Sequence, residues 1–166
     1  MESILRTYLR FIDRLNKVMG YILTLLLAIM TAIIFWQVFS RFVVGSSLSW
    51  SEELSRFLMI FMILIGSSIA LRNNELIAIE ILLEKVENLS KKIVVITIHV
   101  ISLVFFVILI KYGYSMAQSF TNQMAPGLGI SMKYIYLALP LGGVLLLLNS
   151  LACIVEEIIG KGENKC

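Results

Sequence analysis

The chain has 166 residues, 59% of them hydrophobic, and a formal net charge of +3. Soluble domains are roughly 45–50% apolar, so this composition excludes an ordinary soluble protein and points to a membrane. The basic residues do not cluster with aromatics in a polar region, which excludes nucleic acid as a partner. The two cysteines, Cys153 and Cys166, set neither a metal-ligand spacing nor a disulfide framework.

Residues 4–17 are predicted as an amphipathic helix. Leu5, Leu9, Ile12 and Leu15 oppose Arg6, Arg10, Asp13 and Lys17. Such a helix lies in the membrane interface or packs on a partner subunit. Residues 18–40 form the first predicted span. Its apolar run, Val18 to Phe39, is too long for a signal core and ends in SRF rather than a small-residue cleavage site. It is read as a retained membrane helix.

The second span covers 52–71, followed by an amphipathic segment over 75–90. There Glu80, Glu84, Glu87 and Lys91 oppose Leu76, Ile79, Leu82, Leu83 and Val86. The third span covers 93–112 and the fourth 133–156. At ~1.5 Å rise per residue the four apolar runs reach ~27–33 Å, the thickness of a bilayer core. Between the last two lies KYGYSMAQSFTNQMAPGLGISMK, in which Pro126, Gly127 and Gly129 predict a turn or broken structure. Gly66, Ser67, Ser68, Ala70, Gly142 and Gly143 permit close helix contact, and Pro140 predicts a kink.

Lysine and arginine counts set the orientation. Arg6, Arg10, Arg14, Lys17, Arg72, Lys85, Lys91, Lys92, Lys161 and Lys165 fall on one side. Arg41, Arg56, Lys111 and Lys133 fall on the other. The positive-inside rule then places both termini in the cytoplasm. The chain reads as one all-α integral membrane domain, 1–166, with four transmembrane helices plus amphipathic interfacial helices, N-in and C-in.

The span interiors hold almost no ionisable group, whereas an ion or proton path normally marks itself with one. His99 is the exception, and a hydrogen-bonded packing role weighs above a proton relay. No Ser/His/Asp set, Cys/His cluster or glycine-rich phosphate loop is present, so the chain does not read as an enzyme and no cofactor is implied.

Charge concentrates instead in SLSWSEELSRF, residues 47–57. Ser49 to Glu52 fits a capping box, with Ser51 as an alternative cap. Glu52 and Arg56 stand four apart in the favoured order, and Trp50 suits the outer interface. Glu53 and Arg41 exceed what a helix start requires. Arg41, Glu52, Glu53 and Arg56 are expected to form a network that braces the first hairpin or meets another subunit.

RFVVGSSLSWSEELSRF followed by LIGSSIALRNNELIAIEIL resembles the small membrane (Q-type, DctQ-like) subunit of tripartite ATP-independent periplasmic (TRAP) transporters. The matching residues are Arg41, Phe42, Leu48, Trp50, Glu52, Glu53, Leu54, Arg56, Gly66, Ala70, Arg72, Ile79 and Glu80. Later, APGLGISMKYIYLALPLGG matches at Ala125, Pro126, Leu128, Ile130, Tyr136, Pro140 and Gly142. The chain departs from the pattern at Glu75, Glu80, Ser131 and Lys133.

The resemblance implies a multi-pass protein of the bacterial inner membrane. It implies a large membrane subunit that carries substrate and sodium, so that the coupling Na+ belongs to that partner. It further implies a periplasmic binding protein that captures a carboxylate, of the C4-dicarboxylate or sialic acid class. The small subunit would scaffold the large one and help dock the binding protein, with Arg41, Trp50, Glu52, Glu53, Arg56 and Arg72 in the structural or partner network. Lys111 and Lys133 are the candidate docking residues, and membrane lipids are the remaining partners. The rival readings are a self-contained oligomeric transporter or channel, and a membrane enzyme or assembly factor.

Overall fold

The computed structural model describes residues 2–45, 48–73 and 88–159. Among the described residues five α-helices follow one another: α1 (Glu2–Phe39), α2 (Ser49–Arg72), α3 (Asn88–Ser119), the short α4 (Met132–Tyr136) and α5 (Ala138–Ile159). Among the described residues four helical stretches are long and apolar enough to cross a membrane: Leu5–Val43, Ser49–Arg72, Val94–Ser119 and Met132–Glu157. Helices satisfy every backbone group internally, which is what a hydrocarbon environment demands. The segment 75–87, with Glu80, lies outside the described residues, as do Ser46, Ser47 and the tail from 160.

α1 runs without a break through both the amphipathic stretch and the first apolar run. At ~1.5 Å per residue its 38 residues reach ~57 Å, well beyond a ~30 Å bilayer core. The extra length is its N-terminal third. Here Leu9 and Ile12 are buried against Ala152, with Tyr8, Leu148 and Val155 alongside. The Tyr8 hydroxyl donates to the Leu148 carbonyl at 3.0 Å. The apolar stripe of residues 4–17 thus packs on α5. Further along, none of α1's apolar window is buried, against 44% for the window in the last span.

α1 closes in a π-turn, Ser40–Val44, ended by Gly45 at φ 71°. That left-handed conformation is open to glycine without the penalty a β-carbon imposes. α2 then starts at Ser49 with Leu48 as its N-cap and no side-chain cap. The expected capping box is therefore not made. The Ser51 hydroxyl donates to the Leu48 carbonyl (2.8 Å) instead of accepting, and Glu52 turns toward Arg56 rather than back to the helix start.

α5 is the central element. Leu71 of α2, Phe106 of α3 and Leu146 of α5 form one core cluster. Glycines let α5 approach its neighbours closely. A β-carbon on Gly142 would lie 2.6 Å from the Leu64 β-carbon, and one on Gly143 would lie 2.8 Å from Ile110. Pro140 lacks an N–H and cannot bond the Tyr136 carbonyl; the regular helix lapses for the one residue Leu137, between α4 and α5, which keeps right-handed helical dihedrals and whose N–H donates to the Lys133 carbonyl at 3.0 Å. The irregularity falls close to the position where the kink was expected, and the Leu141 N–H bonded to the Leu137 carbonyl at 3.2 Å carries the helix through it.

Candidate functional site

At the end of the bundle where α1 begins and α5 ends, three helices meet on one arginine. Arg72, the last residue of α2, is 3% exposed. Its Nη1 and Nη2 donate to Glu156 Oε2 and Oε1 at 2.7 and 2.6 Å. Its Nε and Nη2 also donate to Asp13 Oδ1 at 3.3 and 3.0 Å. The planar guanidinium fork matches a carboxylate edge, which a lysine ammonium cannot do. One side chain thereby ties α2 to both α1 and α5. Isolated ions at such a site cost several kcal/mol to desolvate, and mutual pairing offsets that cost.

A neutral polar layer lies deeper in the bundle. Asn16 and Asn149 exchange reciprocal amide bonds of 2.6 and 3.0 Å, and Asn149 also donates to the Ser68 carbonyl at 2.9 Å. On the other side of α5, His99 Nδ1 lies 3.2 Å from the Ser150 hydroxyl, and His99 is 2% exposed. That geometry is a packing contact between α3 and α5. Among the described residues no three of His, Cys, Asp or Glu converge to hold a metal ion.

The opposite end carries a second clasp. Glu53 Oε2 accepts from the backbone N–H groups of Gly127 (2.7 Å) and Leu128 (3.0 Å). The loop between α3 and α4 is shaped to present them. Ala125 N–H donates to the Ile130 carbonyl, Gly129 N–H to the Ala125 carbonyl, and Met132 N–H to the Gln123 carbonyl, each at 2.8 Å. Gly129 adopts φ 66° within this turn. Gly127 sits so close to α2 that a β-carbon there would fall 2.7 Å from Glu53 Oε2 and 3.0 Å from the Trp50 α-carbon.

The expected network of Arg41, Glu52, Glu53 and Arg56 is thus divided. Glu52 pairs with Arg56 at 2.5 Å on an exposed helix face. Glu53 faces the loop instead. Arg41 is exposed and makes no ion pair among the described residues. Trp50 is 39% exposed and offers its backbone to Gly127. Arg72 belongs to the far end. Lys111 is exposed with its ammonium 6.0 Å from the Tyr112 ring centre, and Lys133 is half-buried in α4. An exposed i,i+4 pair contributes little, so Glu52→Ala should change thermal stability in detergent by less than about 0.5 kcal/mol. A larger loss would mean that Glu52 holds something besides Arg56.

Asp13, Glu156 and Gly127 are the site residues that the sequence reading left unassigned. The available signal was depth. Asp13 precedes the first apolar run, Arg72 ends the second and Glu156 closes the last, so all three share one level.

Residues 30–160 match the family described as "Tripartite ATP-independent periplasmic transporters, DctQ component". The chain is 29% identical over 137 residues to the sialic acid TRAP transporter small permease protein SiaQ of Vibrio cholerae, covering 82% of this chain and 79% of that protein. A putative TRAP transporter small permease protein of Haemophilus influenzae is 28% identical over 138 residues, 82% of this chain and 83% of its own length. The sialic acid TRAP transporter permease protein SiaT of Haemophilus influenzae is 29% identical over 139 residues, which is 84% of this chain and 22% of that longer protein.

Proposed function

Since the chain belongs to the DctQ component family of TRAP transporters, a small permease subunit of the bacterial inner membrane and not an enzyme, we propose that it is the fixed scaffold of a sodium-coupled uptake system for organic acids. In this reading a large permease subunit carries the substrate and its sodium, and this chain holds that subunit's stationary part. A periplasmic binding protein delivers the substrate to the outer face. Sialic acid is the favoured substrate class, with C4-dicarboxylates as the alternative, because SiaQ and SiaT are both named for sialic acid.

The observation that carries the scaffold role is the pair of clasps at opposite ends of the bundle. Arg72 fixes α2 to α1 and α5, and Glu53 fixes α2 to the loop after α3. A frame braced at both ends resists relative sliding of its helices, which is what a moving partner needs to push against. The unburied apolar window of α1 leaves a long face for lipid or for the large subunit. The excess of Lys and Arg on the side of the termini supports a cytoplasmic location for that end.

Affinity purification from native membranes in mild detergent, followed by mass spectrometry, tests the assignment. The expected result is a stoichiometric, many-span membrane protein in the eluate. A homo-oligomer without such a partner would overturn the scaffold reading. For the docking role, Lys111→Glu with Lys133→Glu should slow uptake and flatten its salt dependence, because rim charges act mainly on association rate. Unchanged uptake and salt dependence would remove docking from the proposal.

A further inference from the structure

The first half of α1 turns one side to α5, where Leu9 and Ile12 are buried. The side turned away carries Arg10, Arg14 and Lys17, all exposed. At 100° per residue these three fall within roughly 60° of one another, and they span ~10 Å of the helix axis. Among the described residues none of the three makes a hydrogen bond or an ion pair. Asp13 lies at the edge of this stripe, but its carboxylate is engaged by Arg72 of α2. The result is a row of three solvated cations on a helix whose other side is packed.

Depth says what meets that row. Arg72, the last residue of the second span, pairs with Asp13, so Arg14 and Lys17 stand where that span ends. This is the level where hydrocarbon gives way to headgroups. Past Lys17 the same face turns apolar without a break. Tyr21 and Leu25 continue the line of the cations, 67% and 61% exposed, with Val18 beside them. Phe11, also exposed, flanks the basic row. Cations that give way to an apolar and aromatic run within two turns reproduce, in mirror charge, the profile of an anionic phospholipid. A protein partner would need its own acids at this one level.

We propose that this face of α1 binds an anionic phospholipid that carries two phosphates on one glycerol, with its acyl chains along Val18, Tyr21 and Leu25. The guanidinium forks of Arg10 and Arg14 match phosphate oxygens in pairs, and the Lys17 ammonium adds a point charge at the hydrocarbon edge. One phosphate cannot reach three cations spread over ~10 Å of helix, whereas two phosphates joined by a glycerol can share them. Cardiolipin has that headgroup. Phosphatidylglycerol offers a single phosphate, and phosphatidylethanolamine adds an ammonium that the cations repel.

Native mass spectrometry of the purified complex, exchanged into equal amounts of cardiolipin, phosphatidylglycerol and phosphatidylethanolamine, tests this. Each Lys or Arg facing anionic lipid contributes about fivefold. Cardiolipin should therefore be retained at least about tenfold over phosphatidylethanolamine, with phosphatidylglycerol between them, and the preference should shrink as salt rises. The triple variant Arg10→Gln, Arg14→Gln and Lys17→Gln keeps good helix formers at all three positions. It should abolish the preference while the complex keeps its composition and melting temperature in phosphatidylethanolamine. Phosphatidylglycerol retained as well as cardiolipin, or no preference among the three lipids, overturns the proposal. So does a cardiolipin preference that survives the triple variant. Loss of the partner protein from the triple variant in phosphatidylethanolamine alone would make the stripe a protein interface and overturn the lipid assignment.

Discussion

Arg72→Met is expected to destabilise the bundle by about 3–5 kcal/mol, the penalty for removing one partner from a buried ion group. The reason is what the substitution leaves behind. Glu156 would keep a buried carboxylate without the fork that now meets both its oxygens. Asp13 suffers less because it is partly exposed. Arg72→Lys should recover only part of the loss, since a point charge cannot hold Asp13 and Glu156 in their present geometry. The double variant Arg72→Met with Glu156→Leu should be milder than Arg72→Met alone. It removes the stranded charge, and apolar replacement of a buried pair is often close to neutral. Thermal unfolding in detergent and yield of the assembled complex read the outcome through a double-mutant cycle. If Arg72→Met melts and assembles like wild type, the clasp does not hold the bundle together.

The spans were legible because apolar length is a property of the chain alone. Their existence needs only about 20 apolar residues and a membrane. Pairing was less legible. Asp13 looked like one more member of a polar face with Arg6, Arg10 and Lys17, since a helical wheel gives direction but not which neighbour lies there. That Asp13 meets Arg72 depends on how α1 is rotated against α2 and α5, and packing sets that rotation. The same holds for Leu9 and Ile12. An apolar stripe beside basic residues reads as a membrane-surface helix, yet here it buries against Ala152 because α5 runs alongside. Proximity in sequence misled at SLSWSEELSRF, whose three charged residues, with Arg41 just before it, read as one network. Adjacent helical positions point about 100° apart. Glu52 therefore looks along its own helix to Arg56, while Glu53 looks sideways to a loop that arrives 74 residues later. The resemblance signalled that Glu53 mattered, but its role needed the position of Gly127.

Glu53→Ala is expected to loosen the whole loop between α3 and α4. The carboxylate accepts two N–H groups, and hydrogen bonds to a charged group contribute about 1.5–3 kcal/mol each when shielded, toward the lower figure at this half-buried site. Without it, the Gly127 and Leu128 amides lose their acceptor, and hydrogen exchange at both should accelerate about tenfold or more. Glu53→Gln keeps an acceptor oxygen and should show a fraction of that effect, which separates the hydrogen bonds from the charge. Gly127→Ala attacks the same contact from the other side. A methyl 2.7 Å from Glu53 Oε2 and 3.0 Å from the Trp50 backbone has no room, and only the carboxylate end can yield. The loop must lift, so Gly127→Ala should match Glu53→Ala in exchange, and the two together should be little worse than either. Additive effects would mean that the residues act separately. Unchanged exchange in Glu53→Ala would mean that Glu53 holds nothing there, leaving the frame braced at the Arg72 end alone.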